Sequence, residues 1–342
     1  MMTNHLARYA GSVRAKAKRY AKRYLPFSIV RRLYARATRG VWPIPPVAVS
    51  LEPTNYCNLK CSYCPKSLGI DRRKGYVTVE DFEKYAGRIN HRNLKRVDLV
   101  GFGEIFVHKE WQKLLRMVRA ALPKCDIVIT TNALLLTREA FDVMNECGIT
   151  QLTVSLNGAN RDTYKEINRV DKFDEVYRKV AELVQYYKTV ADRKLDFVIQ
   201  LIDTINSPEE IEKFRRSHAH WFDDKILFYV HPYSNWGGYY FKDDTEERYP
   251  CGHLYVPGIS WTGDVYGCCV AYPDGNKDLL LGNLKDQTIE EIYRSDRFQQ
   301  LHRWNMQGEL HKHVELCRNC NSWKRIPNVY FRNPTNIGPR WL

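Results

Sequence analysis

The sequence predicts an α/β fold, a partial (β/α)6 barrel followed by a small cysteine-rich domain at the carboxyl end. Three observations predict it. Six β-favouring runs recur between Val47 and Pro232, amphipathic helical patterns lie between most of them, and beyond about Asp243 the alternation gives way to cysteines and turn residues. Strands that alternate with helices are joined by crossovers and therefore run parallel. At 342 residues the chain has room for one such barrel and a smaller appendage.

Residues 1–45 come first, as a basic amphipathic arm. The formal net charge is +14, yet the eleven Lys and Arg before Leu51 are accompanied by no acidic residue, so the basicity is local. Tyr9, Tyr20, Tyr24, Phe27, Leu33 and Tyr34 are interleaved with those charges. Such a run either packs its aromatics on the main domain as a solvated extension or attracts a membrane surface or another anionic partner. No recognised nucleic-acid motif accompanies it, which ranks nucleic acid below these readings. The sequence shows no apolar run near the ~18 residues that span a bilayer and no leader pattern. The expectation is a cytoplasmic protein, with any membrane contact peripheral and made by the arm.

Residues 46–242 are the predicted barrel. Its strands are Val47 to Thr54, Arg96 to Phe102, Asp126 to Thr131, Gln151 to Leu156, Leu195 to Ile202 and Ile226 to Pro232. The helical patterns are "TVEDFEKYAGRI", "EWQKLLRMVRAAL", "TREAFDVMNECG", "FDEVYRKVAELVQYYK" and "SPEEIEKFRRSHAHWF". Thr78 and Ser207 suit helix N-caps and Gly148 a helix stop. Barrel chemistry sits where the strands end. There the sequence places "CNLKCSYC" after strand one, "GFGE" after two, "TTN" after three, "SLNG" after four and "HPYSNWGG" after six. Residues 243–342 carry further cysteines, the turn-rich "PDGNKD", one helix "DQTIEEIYRSDRFQQLHRW" and a tail rich in Pro, Arg and Trp.

Eight of the ten cysteines cluster (Cys57, Cys61, Cys64; Cys251, Cys268, Cys269; Cys317, Cys320), while Cys125 and Cys147 stand alone in apolar segments. Clustered thiols without an export signal point to metal rather than to disulfides. The trio in "CNLKCSYC" is one ligand short of a closed zinc tetrahedron. Either a distant residue completes it, or one metal position stays open for a chelating molecule. Spacing alone leaves both readings open.

The Cys57-x3-Cys61-x2-Cys64 spacing after a first barrel strand, followed in order by "GFGE", "TTN" and "SLNG", resembles the radical S-adenosylmethionine superfamily. The resemblance implies a TIM-like partial barrel whose three cysteines hold a 4Fe-4S cluster. The fourth iron chelates S-adenosylmethionine, and its reductive cleavage gives a 5'-deoxyadenosyl radical that abstracts a substrate hydrogen. It implies Tyr63 against the adenine and Gly103 and Glu104 at the methionine ammonium. It also implies Asn132 near the cofactor, Ser155 and Arg169 at the carboxylate and Asn157 at the ribose. Glycine lets backbone approach a ligand closely and an acid suits an ammonium. Two positions depart from the usual pattern: Ile105 stands where proline is common, and Ala133 where glycine is common. Neither removes a ligand.

The carboxyl-terminal segment resembles the SPASM or twitch extension of the same superfamily. The pattern is Cys251, eleven residues, Gly263, four more, Cys268, then "LGNL" and Cys317-x2-Cys320. The resemblance implies one auxiliary 4Fe-4S cluster on Cys251, Cys268, Cys317 and Cys320; a zinc ribbon is the competing reading. Cys269 is left over. It either donates a hydrogen atom to a substrate radical, substitutes for Cys268 as ligand, or is a passive buried thiol.

The expected function is therefore a radical oxidoreductase or epimerase acting on a small molecule or sugar conjugate, supplied with electrons by a protein such as flavodoxin or ferredoxin. Epimerisation or crosslinking of a ribosomally made peptide is the second reading. The arm before Val47 is shorter than the peptide-binding domain such enzymes carry, which favours the small molecule. A non-catalytic metal protein with a nucleic-acid-binding arm is the third.

Overall fold

The computed structural model describes residues 46–324, apart from 70–71, 204, 233, 247, 249 and 272–275. The basic arm, and with it every reading of residues 1–45, lies outside the described residues. Strands β1 (Ala48–Leu51), β2 (Arg96–Leu99), β3 (Asp126–Thr131), β4 (Gln151–Asn157), β5 (Asp196–Ile202) and β6 (Ile226–His231) form the expected parallel series. β7 (Gly258–Ile259) pairs in parallel with β1, and β8 (Asp264–Tyr266) and β9 (Leu280–Asn283) follow antiparallel. The sheet order β6-β5-β4-β3-β2-β1-β7-β8-β9 does not close, so the barrel is partial. The cysteine-rich segment thus adds its strands to the barrel's own sheet, next to β1.

The crossovers are α1 (Val79–Ile89), α2 (Trp111–Ala121), α3 (Arg138–Glu146), α4 (Arg161–Asn168), α5 (Phe173–Thr189) and α6 (Pro208–Ser217). Local chemistry sets their ends. The Thr78 side chain accepts from the Asp81 N–H, and Ser207 and Glu210 form a capping box ahead of α6 with Pro208 at its first position. Gly148 ends α3 at φ +64°, a left-handed turn in which the Ile149 N–H returns to the Met144 carbonyl. The short, polar α4 has too weak an apolar stripe to be read from sequence. It is held by a capping box between Asn160 and Thr163. One expected helix is two, α7 (Ile289–Arg294) and α8 (Asp296–Met306), because Ser295 in an extended conformation accepts from the Phe298 N–H and starts a second helix.

β1 and β2 are shorter than expected. Pro53 cannot donate to a ladder and the glycines of "GFGE" leave it, so the residues beyond Leu51 and Leu99 are free to build loops. The two faces of the sheet differ in chemistry. Val97, Leu99, Ile127, Ile129, Leu152, Val154, Phe197 and Ile199 are fully buried and share one apolar cluster with helix residues such as Leu114, Phe141 and Val180. Each such side chain contributes about 1.5–3 kcal/mol. On the opposite face the register aligns Ser50 with Asp98, Thr130 with Thr153, Ser155 with Gln200 and Gln200 with Tyr229. Barrel interiors of this class are ordinarily filled by Val, Ile and Leu. This face thus mixes hydroxyls and amides with the aliphatic Val128, Val198, Ile202 and Leu227, unlike the apolar opposite face.

Candidate functional site

The trio stands in the loop after β1, tied down from several sides. The Ser62 N–H and hydroxyl both donate to the Ile167 carbonyl at the end of α4 (2.7 and 3.1 Å), the Ser67 hydroxyl to the Cys61 carbonyl (2.6 Å), and Lys66 to the Asn55 carbonyl (2.6 Å). Cys57, Cys61 and Cys64 are free, half-buried thiols. Burial raises all three, with the neighbouring thiols adding to the rise at Cys61 and Cys64, the latter pushed up to about 11. Thiols crowded into a dry pocket deprotonate readily only when a cation joins them, which suits metal ligands.

The "GFGE" turn lies beside this loop. A side chain on Gly103 would collide with the carbonyl oxygens of Thr54 and Tyr56, and the Glu104 N–H donates to the same Tyr56 carbonyl (2.8 Å). Only glycine permits that approach. The buried Glu104 carboxyl accepts from the Thr131 hydroxyl and the Asn132 N–H (both 2.8 Å), and burial pushes it up to about 7 against the pull of these donors. Among the described residues no cation pairs with it. Asn132 turns back to the trio: its Nδ2 donates to Asn58 (2.7 Å) and lies 3.9 Å from the Cys57 sulfur. Ala133, where glycine is usual, adopts φ +64° all the same.

Asn157, at the end of β4 with φ +66°, donates to the Tyr63 hydroxyl (3.1 Å) and to Oδ1 of Asn168 (3.2 Å), which also accepts from the Cys61 thiol (3.3 Å). Oδ1 of Asn157 is buried and has no partner among the described residues. Arg169 closes α4 at φ +57°, and its charge favours the Cys61 thiolate. Ser155 faces the polar interior and accepts from Gln200 (3.4 Å). The predicted residues of the four strand ends are thus gathered round one loop, with Ser155 one step deeper.

The later cysteines form a second centre. Cys251, Cys317 and Cys320 border one small cavity with Arg248 and Trp323. Asn305 fixes Cys251 by bonding both its N–H and its carbonyl (2.8 and 3.0 Å). Burial raises the Cys251 thiol to about 12 and Cys317 well above the ordinary thiol range, with Cys320 adding to both. Cys268 and Cys269 join His253 in a group whose ligand atoms lie within 4.8 Å of one another. Cys269 is held low because the Cys268 thiol donates to it and His253 stands 3.7 Å away. Its charge also acts on Asp98, whose carboxyl burial raises despite its ion pair with Arg96 (2.6 Å).

Residues 51–214 match the Radical SAM superfamily profile, and residues 251–321 match that of SPASM, an iron-sulfur cluster-binding domain. The chain belongs to the radical SAM superfamily. Among curated relatives of this radical SAM protein are proteins named GTP 3',8-cyclase. That of Desulforamulus reducens is 27% identical over 137 residues, 40% of this chain and 42% of its own. That of Alkaliphilus metalliredigens is 30% identical over 164 residues, 47% and 49%. The chain thus spans less than half the length of either relative. Among solved structures, BtrN in complex with AdoMet and 2-DOIA has a TM-score of 0.56 at 20% identity, covering 80% of this chain and 92% of that one. Streptococcus suis SuiB bound to precursor peptide SuiA has a TM-score of 0.61 at 17% identity, covering 91% and 78%. These likenesses show the fold.

Membership brings a 4Fe-4S cluster with S-adenosylmethionine, and iron-sulfur in the SPASM domain. The residues present fit both. Among the described residues three thiols raised by burial and a buried Glu104 carboxyl have no paired cation, and Asn157, whose Nδ2 reaches Tyr63, keeps a buried oxygen without a partner. Sequence reading passed over Glu52, Asp98, Asn168, Arg248 and His253. For Glu52 a signal existed, an acid on the last residue before the turn of the first strand; for the others the signal is only spatial.

Proposed function

We propose that Cys57, Cys61 and Cys64 hold the cluster that binds S-adenosylmethionine, and that the enzyme acts at a carbon of a hydroxyl-rich, sugar-like small molecule. The observation that carries the substrate class is the run of polar residues on the interior face, Ser50, Thr130, Thr153, Gln200 and Tyr229, which break its aliphatic filling. When bound, S-adenosylmethionine and the first cluster supply a hydrogen-abstracting radical, and the auxiliary cluster supplies a one-electron partner. In this reading Glu104 binds the ammonium, Ser155 and Arg169 the carboxylate, Asn157 the ribose, and Tyr63 and Asn132 frame the adenosine. Cys251, Cys268, Cys317 and Cys320 hold the auxiliary cluster. Cys269, grouped with Cys268 and His253, returns a hydrogen atom to the substrate carbon, and the net reaction is epimerisation; a flavodoxin- or ferredoxin-like protein supplies the electron that, with a proton, restores the thiol. Net dehydrogenation, with the auxiliary cluster as electron acceptor, is the second reading.

Turnover in deuterated water separates them. With Cys269 as donor the product gains one deuterium, and Cys269→Ser loses that label; a product two hydrogens lighter, unaffected by Cys269→Ser, overturns the epimerase. The broader assignment is checked by iron analysis and by 5'-deoxyadenosine release with dithionite. About eight irons per chain and a loss of release by at least about a hundredfold in Cys61→Ala are expected, since an open iron needs its full thiolate set. For the arm, the reading is attraction to an anionic membrane or carrier, resting on its local basicity. Unchanged liposome binding and activity after deletion of residues 1–40 would sink it.

A further inference from the structure

Arg248 is 6% exposed, and its guanidinium is fully engaged. Nε donates to the Thr245 carbonyl (2.7 Å), Nη1 to the carbonyls of Cys317 (2.5 Å) and Cys320 (3.4 Å), and Nη2 to those of Arg318 (2.5 Å) and Asp243 (2.9 Å). Five N–H donors thus meet five carbonyls, three of them on the Cys317–Cys320 loop. Trp323 lies against the same group, with the ring centroid 5.7 Å away. Every one of these partners is neutral. Among the described residues no carboxylate pairs with Arg248, and the nearby Asp243 carboxylate is taken by Lys324 (2.9 Å). A buried cation without a counter-charge is costly, so proteins rarely keep one unless something neutralises it.

What can neutralise it lines the same small cavity, where Cys251, Cys317 and Cys320 stand. We propose that Arg248 is both the clamp of the Cys317–Cys320 loop and the counter-ion of the auxiliary iron-sulfur centre. A core held by several thiolates carries net negative charge, and adding an electron makes it more negative. A fixed cation beside it raises the reduction potential, because net charge and hydrogen bonding around the sulfurs set that potential. Lysine can supply the charge but not the planar fork; methionine supplies neither. The proposal rests on the reading of Cys251, Cys317 and Cys320 as cluster ligands.

The test uses the full chain carrying Cys57→Ala, Cys61→Ala and Cys64→Ala, reconstituted with iron and sulfide so that only the auxiliary centre reports. Its midpoint potential is then followed by redox titration with electron paramagnetic resonance in that parent and in the added variants Arg248→Met and Arg248→Lys. The methionine variant is expected to titrate at a clearly more negative potential, and the lysine variant close to the parent with a lower iron content. Equal potentials in all three overturn the counter-ion, as do equal shifts in both variants. If the methionine variant holds no iron, the lysine variant decides: a parental potential supports the charge, and an equally complete loss of iron overturns it. A parent without any iron-sulfur signal overturns the ligand set, and Arg248's role with it.

Discussion

Replacing Glu104 with glutamine is expected to weaken binding of S-adenosylmethionine to the reconstituted protein by at least about thirtyfold. Glu104 is buried, and among the described residues its partners are the Thr131 hydroxyl and the N–H groups of Asn132 and Phe106, none of them a cation, so its negative charge is unspent. Removing one partner of a buried charged pair costs about 2–5 kcal/mol, and every 1.4 kcal/mol is about tenfold in affinity. Glutamine also turns an NH2 towards the Asn132 N–H or the Phe106 N–H, where an acceptor is needed. The pH dependence has a definite sign. Burial pushes the Glu104 carboxyl up to about 7, above its ordinary value, so the folded, ligand-free protein holds that proton more tightly than the unfolded chain. This carboxyl therefore lowers stability as pH rises from the ordinary carboxylate range through about 7, by about 3 kcal/mol at most. An ammonium ligand selects the carboxylate, so affinity should climb by up to about tenfold per pH unit towards pH 7 and level off above it. Equilibrium binding at pH 6, 7 and 8 checks this. A glutamine variant within threefold of the parent at every pH would remove Glu104 from the ammonium site.

Glu52→Ala is expected to cost about 3–5 kcal/mol of folding stability, as removing one partner of a buried ion pair does. Glu52 is fully buried immediately after β1. One carboxylate oxygen accepts from the Phe102 N–H (3.0 Å); the other accepts from Arg72 (2.5 Å) and the Trp261 N–H (3.4 Å). Gly101 is packed against its methylenes, where any side chain would collide. A single carboxylate thus joins the cysteine loop, the "GFGE" turn and the β7–β8 turn. Alanine removes the acceptor shared by the buried Phe102 N–H, the part-buried Trp261 N–H and Arg72, and leaves a cavity besides. With total stabilities of about 5–15 kcal/mol, such a loss takes a large share. Urea unfolding of parent and variant measures it, and a loss below 1 kcal/mol would show that water or rearranged partners replace the carboxylate.

The strand-end motifs were legible because each is local. "CNLKCSYC" states its donor atoms and spacing within eight residues, and "GFGE" places a glycine and an acid on one turn. The alternation of runs likewise exposed six strands and five of the six crossover helices. α4 escaped because only Tyr164 and Ile167 of its eight residues are apolar, although its last turn receives Ser62 and Asn168 touches Cys61. The break at Ser295 was hidden inside a pattern that is helical on both sides.

By itself the sequence determined the order of elements, the identity of the thiols and the acid that follows them, because periodicity and spacing are properties of neighbouring residues. Tertiary structure alone decided which distant groups complete them. Asn168 meets Cys61 across 107 positions, Trp261 meets Glu52 across 209, and Arg248 reaches Cys317 across 69. Burial makes each of these polar groups find a partner, and the fold, not the local pattern, chooses which one is within reach.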